Sequence, residues 1–371
     1  MEAEPMLVLQ FAKRAVLTLA AAAVALSGCG SESAPTVPFN PSGATADLEA
    51  VSTTFASPAF SDFTALSMLF DAALGGAPLV SASAAALDVR GGSTAKGLQA
   101  AAARSAERIA RIVPRPAAGG FSASSAAIPP EFLGKTFVYS GGSYVVSAQT
   151  GAPANGVRFI LYAIDPVTLL PAEPLNPTGH VDLVDLSSGT TSAARVIVVS
   201  GTTTYLDYRV SATSTVSSGR VTVLGFITDG ATEATFNLSA SLTYDAGLTL
   251  TYSFNVPQRD LAIALTMSAS GTTPETSTIG VTLDMRGQNG WIRLTGQFTV
   301  DGTTLNVAIN GAPFATITAI AGAEVVITGA AGQPLTPEEL ETLQRVFEFA
   351  GGSFIAFDQL VAPVGTFIGG A

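Results

Sequence analysis

The sequence predicts a mainly β protein: a large curved antiparallel meander, half-barrel or barrel-like, with two N-terminal helices and one C-terminal helix. Three observations predict it. From Gly134 to Thr328 apolar and polar residues alternate with a period of two, enough for about a dozen or more half-buried strands. Before and after that region the apolar spacing is helical. The chain of 371 residues is 47% hydrophobic but only 12% charged, so much of its surface must be Ser, Thr, Gly and Ala.

Near the N-terminus stand Lys13-Arg14 and the apolar run Ala15 to Leu26, a basic n-region and an h-region too short to span a bilayer, behind an acidic prefix Met1 to Pro5 that leaves Met1 or Met6 as the start. The run ends in Leu26-Ser27-Gly28-Cys29, which resembles the lipobox of bacterial lipoproteins. That resemblance implies cleavage between Gly28 and Cys29, and a diacylglyceryl group on Cys29, the only cysteine in the chain. Lipidation would leave no thiol for a disulfide or for redox chemistry. Gly30 rather than Asp follows the modified position, which by resemblance to the enterobacterial sorting rule favours the outer membrane where the host has one. The expected partners are thus a membrane, through the anchor, and an apolar ligand or an envelope protein.

The expected organisation is a signal peptide over 1–28, a lipidated tether over 29–56, a helical segment and linker over 57–130, the β domain over 131–330, and a C-terminal helix and tail over 331–371. The tether is rich in Ser, Pro and Gly and shows no apolar period. A first helix is expected from Pro58 to about Leu74, where Phe60, Phe63, Leu66, Phe70 and Leu74 share a face. A second, from about Lys96 to Val113, aligns Leu98, Ala102, Ile109 and Ile112, with Arg104, Arg108 and Arg111 on its other face. Pro114 stops it, and Arg115 to Pro130 reads as a linker.

Hairpin register follows from requiring apolar residues to face apolar residues. A two-residue turn at Asp229-Gly230 pairs Val223 with Phe236 and Val221 with Leu238. A turn at Asp245-Ala246-Gly247 pairs Leu242 with Leu250 and Leu238 with Phe254. The loop Pro257 to Asp260 pairs Phe254 with Ile263 and Tyr252 with Leu265. Val221, Val223, Phe236, Leu238, Leu250, Tyr252, Phe254, Ile263 and Leu265 thereby form one apolar face, opposite a face of Thr and Ser. The loop Gly287 to Gly290 pairs Asp284 with Arg293 and Arg286 with Trp291, an ion pair and a cation–π contact. Gly225, Gly280 and Gly296 mark bends. Behind the strands, Thr336-Pro337-Glu338-Glu339 starts a helix expected to end at Gly351-Gly352, and the tail from Phe354 to Ile368 reads as either a short helix or an edge strand.

A net charge of −11 argues against nucleic acid, since phosphate binding needs a basic surface. One His and one Cys leave little material for a metal site, and no cofactor is expected. His180 and Asp182 share a strand face, which reads as a solvated strand entrance. Ser93-Thr94-Ala95-Lys96 resembles the nucleophile motif of serine β-lactamases and penicillin-binding proteins, but the resemblance stops at four residues. Ser-Asp-Asn is absent and Phe137 follows Lys135-Thr136 where Gly is required. The chain therefore reads as non-catalytic.

An apolar sheet face of this size must be covered. In one arrangement the sheet curls around helices and leaves room for an apolar small molecule or lipid. That organisation resembles periplasmic lipoprotein-localisation carriers and related lipid-carrying lipoproteins. No residue motif of theirs is matched, and both N-terminal helices precede the sheet instead of interrupting it. In a second, the helices fill the interior and the module is structural or binds proteins at the membrane surface. In a third, the apolar face turns outward into lipid as a transmembrane barrel, with few aromatic residues for its girdles.

Overall fold

The computed structural model describes residues 38–73, 109, 112–113, 128–165, 167–168, 170–244, 246–270, 278–299, 301–320 and 326–368. Gly28 and Cys29, Ser93 to Lys96, and Arg104, Arg108 and Arg111 lie outside them.

Helix α1 spans Pro41–Phe55, where the sequence reads as tether. Its signals are local: Asn40 is the N-cap, its side chain accepting from the Gly43 backbone N–H at 3.1 Å, and Pro41 occupies the first turn. Ala44, Leu48 and Val51 form a buried stripe that the surrounding Ser, Thr and Pro obscure. Helix α2, Pro58–Ala73, lies where expected and buries Phe60, Phe63 and Leu66. Helix α3 starts at the expected capping box: the Glu339 carboxylate accepts from the Thr336 N–H at 2.8 Å, and Thr336 Oγ1 accepts from the Glu339 N–H at 3.2 Å. It runs through Gly351-Gly352 and Pro363 to Ile368, so the expected stop at the glycine pair is not observed and the tail is helical. Burial of Leu360, Val361 and Val364 outweighs the weak helix propensity of Gly351, Gly352 and Pro363.

The strands are β1 (Lys135–Ser140), β2 (Ser143–Ser147), β3 (Gly156–Tyr162), β4 (Pro177–Asp185), β5 (Ser192–Ser200), β6 (Thr203–Ser214), β7 (Ser218–Thr228), β8 (Glu233–Thr243), β9 (Gly247–Val256), β10 (Leu261–Ser270), β11 (Thr278–Gly287), β12 (Gly290–Thr299), β13 (Gly302–Ile309), β14 (Ala312–Ile320) and β15 (Val326–Gly329). They make one curved, unclosed 15-stranded sheet in which β3 to β15 each pair antiparallel with their chain neighbours. The other end departs from the meander, because β1 pairs parallel with β3 and β2 forms the edge. Phe137 of β1 stacks on Phe159 of β3, ring centroids 4.7 Å apart, which helps to seat the parallel strand.

Two hairpins differ in register from expectation, each by two residues. Asp229 Oδ1 accepts from the N–H groups of Ala231 and Thr232, which lengthens the turn to four residues. Val223 therefore faces Leu238 and Val221 faces Ala240, while Gly225 faces Phe236. At the next turn Tyr244 leaves the strand to donate its hydroxyl to the Val113 carbonyl at 2.7 Å, so Leu242 faces Leu248 and Leu238 faces Tyr252. A slip of two keeps every side chain on its face. The β9–β10 and β11–β12 registers are as expected.

Candidate functional site

The nine residues of the expected apolar face all point inward and are between 0% and 4% exposed. They belong to one buried cluster with residues of α1, α2 and α3. Phe254 meets Phe55 of α1 at 5.9 Å and Phe349 of α3 at 5.7 Å, both edge-on. Phe63 of α2 meets Tyr208 at 6.3 Å, and the Tyr208 hydroxyl donates to the Leu360 carbonyl of α3 at 2.8 Å. The apolar face is therefore covered by the chain's own helices. A closed barrel turning that face outward is not the observed arrangement. Among the described residues no helix is long and apolar enough to cross a membrane.

Helix α1 is fixed by polar contacts to two hairpin loops at one end of the sheet. Asp47, its side chain only 5% exposed, accepts from Asn289 Nδ2 at 2.7 Å and from Arg259 Nη1 at 3.3 Å. Asn40 adds a backbone hydrogen bond to the Asn289 carbonyl at 3.0 Å and a side-chain bond to Asn289 Oδ1 at 3.1 Å. At the other end of the chain's path, Thr342 of α3 donates to the Pro41 carbonyl at 2.9 Å. Composition gives no signal for these contacts, because each joins residues far apart in the chain.

The outer face is polar and ordered in rows. Thr222, Ser239, Thr251, Thr266, Thr282, Thr295, Asn306 and Thr316 lie directly opposite one another across eight successive strands. Cross-strand ion pairs punctuate this surface. Arg158 grips Asp182 through Nε and Nη2, both at 2.7 Å, and Arg195 grips Asp207 in the same forked way. His180 stands 3.9 Å from Asp182, beside that pair. Partial burial, then the Arg158 charge, push the imidazole below its ordinary pKa, against the opposing pull of Asp182. His180 is thus biased toward its neutral form beside a structural ion pair. Among the described residues no three His, Cys, Asp or Glu side chains group as metal ligands.

The expected Asp284, Arg286, Trp291 and Arg293 cluster is present on this face. Asp284 accepts from Arg293 through both oxygens at 3.0 Å and from the Trp291 indole N–H at 2.7 Å. The Arg286 guanidinium lies 4.6 Å from the Trp291 ring centre and that of Arg293 5.0 Å. Burial acts to raise the Asp284 pKa, but the hydrogen bonds from Arg293 and Trp291 and the charges of Arg293 and Arg286 outweigh it and hold the carboxyl below the usual range. Beside this cluster the outer face dips into a groove of about 350 Å³, whose lining includes Asn237, Asn255, Ala262, Ala264, Asp284 and Arg286. A second hollow, of about 600 Å³, crosses β12 to β14 and is lined by Gln297, Thr304 and Asn306 among others.

No family model, curated protein or solved structure matches the chain.

Proposed function

We propose that this is a non-catalytic cell-envelope protein, held to a membrane by a lipid on Cys29, and that its curved sheet is a scaffold for display at the membrane surface. One observation carries the scaffold reading: the nine-residue apolar face is buried in one cluster together with residues of α1, α2 and α3. Removing the helices would return nine large side chains to water, at roughly 1.5–3 kcal/mol each. The sum, about 14–27 kcal/mol, matches or exceeds the whole stability of an ordinary domain, about 5–15 kcal/mol. An apolar small molecule or lipid would have to replace nearly all of that contact to occupy the same face. What the scaffold offers to a partner is then its outer, polar surface.

Native mass spectrometry of the Cys29→Ser chain tests the scaffold reading. A mass free of noncovalent adducts, unchanged by added fatty acid or phospholipid, is expected. A bound apolar mass that organic extraction removes would overturn the scaffold in favour of lipid carriage. The anchor is tested separately: Cys29→Ser should move the protein from the membrane fraction to the soluble fraction, and unchanged fractionation would remove the lipobox reading.

A further inference from the structure

We infer that the groove across β8 to β11 on the outer face is a saccharide-binding site. Ala262 and Ala264 of β10 form its floor, between Ser253 and Asn255 on β9 and Asp284 and Arg286 on β11. The flanking strands are two strand spacings apart, about 9.5 Å. Small methyl groups between taller polar side chains leave a trough with an apolar base and hydrogen-bonding sides. That combination matches a pyranose, which presents C–H groups from its ring face and hydroxyls from its edge. Its volume of about 350 Å³ lies within the range of small-ligand sites.

The two sides differ in rigidity, and the difference supports the assignment. On the β11 side Asp284 is fixed by Arg293 and Trp291, and Arg286 lies over the indole. Among the described residues Asp284 Oδ2 accepts only from Arg293, which leaves a lone pair to meet a sugar hydroxyl. A carboxylate and a guanidinium held in this way bind hydroxyl pairs without first losing side-chain freedom. On the other side Asn255, and Asn237 one strand further out, are exposed and make no side-chain hydrogen bond to other described residues. Their amides supply both a donor and an acceptor, as neighbouring sugar hydroxyls require. One acid and one base line the groove, which favours a neutral glycan over a polyanion. The assignment does not depend on the lipid anchor or on the scaffold reading of the inner face.

Trp291 is the only tryptophan in the chain and touches two residues of the groove's lining, donating to Asp284 and lying under Arg286, so its emission reports on this site. The full chain, in a polyoxyethylene detergent so that no detergent headgroup is a sugar, is titrated with linear oligosaccharides of glucose, mannose, galactose and N-acetylglucosamine. Emission and saturation-transfer NMR are both recorded. At least one sugar should give a saturable emission change together with transfer to its ring protons. The double variant Asn237→Ala/Asn255→Ala should weaken that binding about tenfold or more. Ala264→Phe, which fills the trough from an exposed position, should abolish it, whereas Gln297→Ala, outside the groove, should not alter it. No saturable response to any of these sugars would overturn the inference, as would a response that survives Ala264→Phe in a variant whose circular dichroism is unchanged.

Discussion

Replacing Asp47 with Ala tests whether α1 is bolted to the sheet or merely rests on it. The carboxylate is buried, and its bond from Asn289 is short. Hydrogen bonds to charged groups contribute about 1.5–3 kcal/mol. Arg259 adds less than about 1 kcal/mol, because its side chain is 38% exposed and the contact is 3.3 Å. The expected loss is therefore about 2–3 kcal/mol. Urea unfolding followed by far-ultraviolet circular dichroism measures it: with a slope of about 3 kcal/mol per molar, the midpoint should fall by roughly 0.7–1 M at unchanged slope. Asp47→Asn keeps one carbonyl acceptor and should lose about half as much. A midpoint for Asp47→Ala equal to that of the unaltered chain would mean that the apolar stripe alone holds α1.

Three further outcomes are expected. Gly225→Ala places a Cβ against the Asp207 carbonyl and 2.5 Å from Tyr208 Cβ; the same unfolding measurement should show a loss of about 1–3 kcal/mol. Asp62 has a pKa raised by burial, only partly offset by the hydrogen bond from Thr178. Its contribution to stability is therefore present below the unfolded carboxyl pKa and lost as pH rises through the folded one. Asp62→Asn should melt higher relative to the unaltered chain at neutral pH than in acid, and equal offsets at both would refute the assignment. Asp284, with its lowered pKa, contributes stability that is lost as pH falls through that pKa. Trp291 emission should accordingly titrate with a midpoint below the ordinary Asp value of about 3.9, and Asp284→Asn should remove the transition.

The period-two pattern made the sheet and the direction of its apolar face readable, because a register error of two cannot move a residue to the other side. Register itself was readable at some turns and not at others. Pro257 fixes the β9–β10 loop, and that hairpin forms as expected. Asp229-Gly230 carries the signature of a two-residue turn, yet the Asp side chain caps two backbone N–H groups and builds a longer one. Glycine at 225 makes the shifted register favourable, since Tyr208 and Phe236 flank it on the neighbouring strands. The end of α3 was hidden for a related reason: Gly351-Gly352 and Pro363 are local stop signals, and tertiary burial overrode them. The groove was half legible. The Asp284–Arg293 and Arg286–Trp291 pairs followed from one hairpin and the placing of Asn255 beside Ala262 from another, but Asn237 lies on β8, whose pairing with β9 slipped by two.

The meeting of α1 with α3 has a consequence for the order of events during synthesis. Thr342 touches Pro41 across three hundred residues of chain, and α3 supplies part of the core that the strands enclose. A chain emerging N-terminus first can pair hairpins as they appear, but it cannot seal its apolar face until the last helix arrives. Such long-range closure folds slowly and leaves strands exposed meanwhile. Under the export that the proposed anchor requires, that delay is useful, because the chain cannot lock shut before α3 has been made.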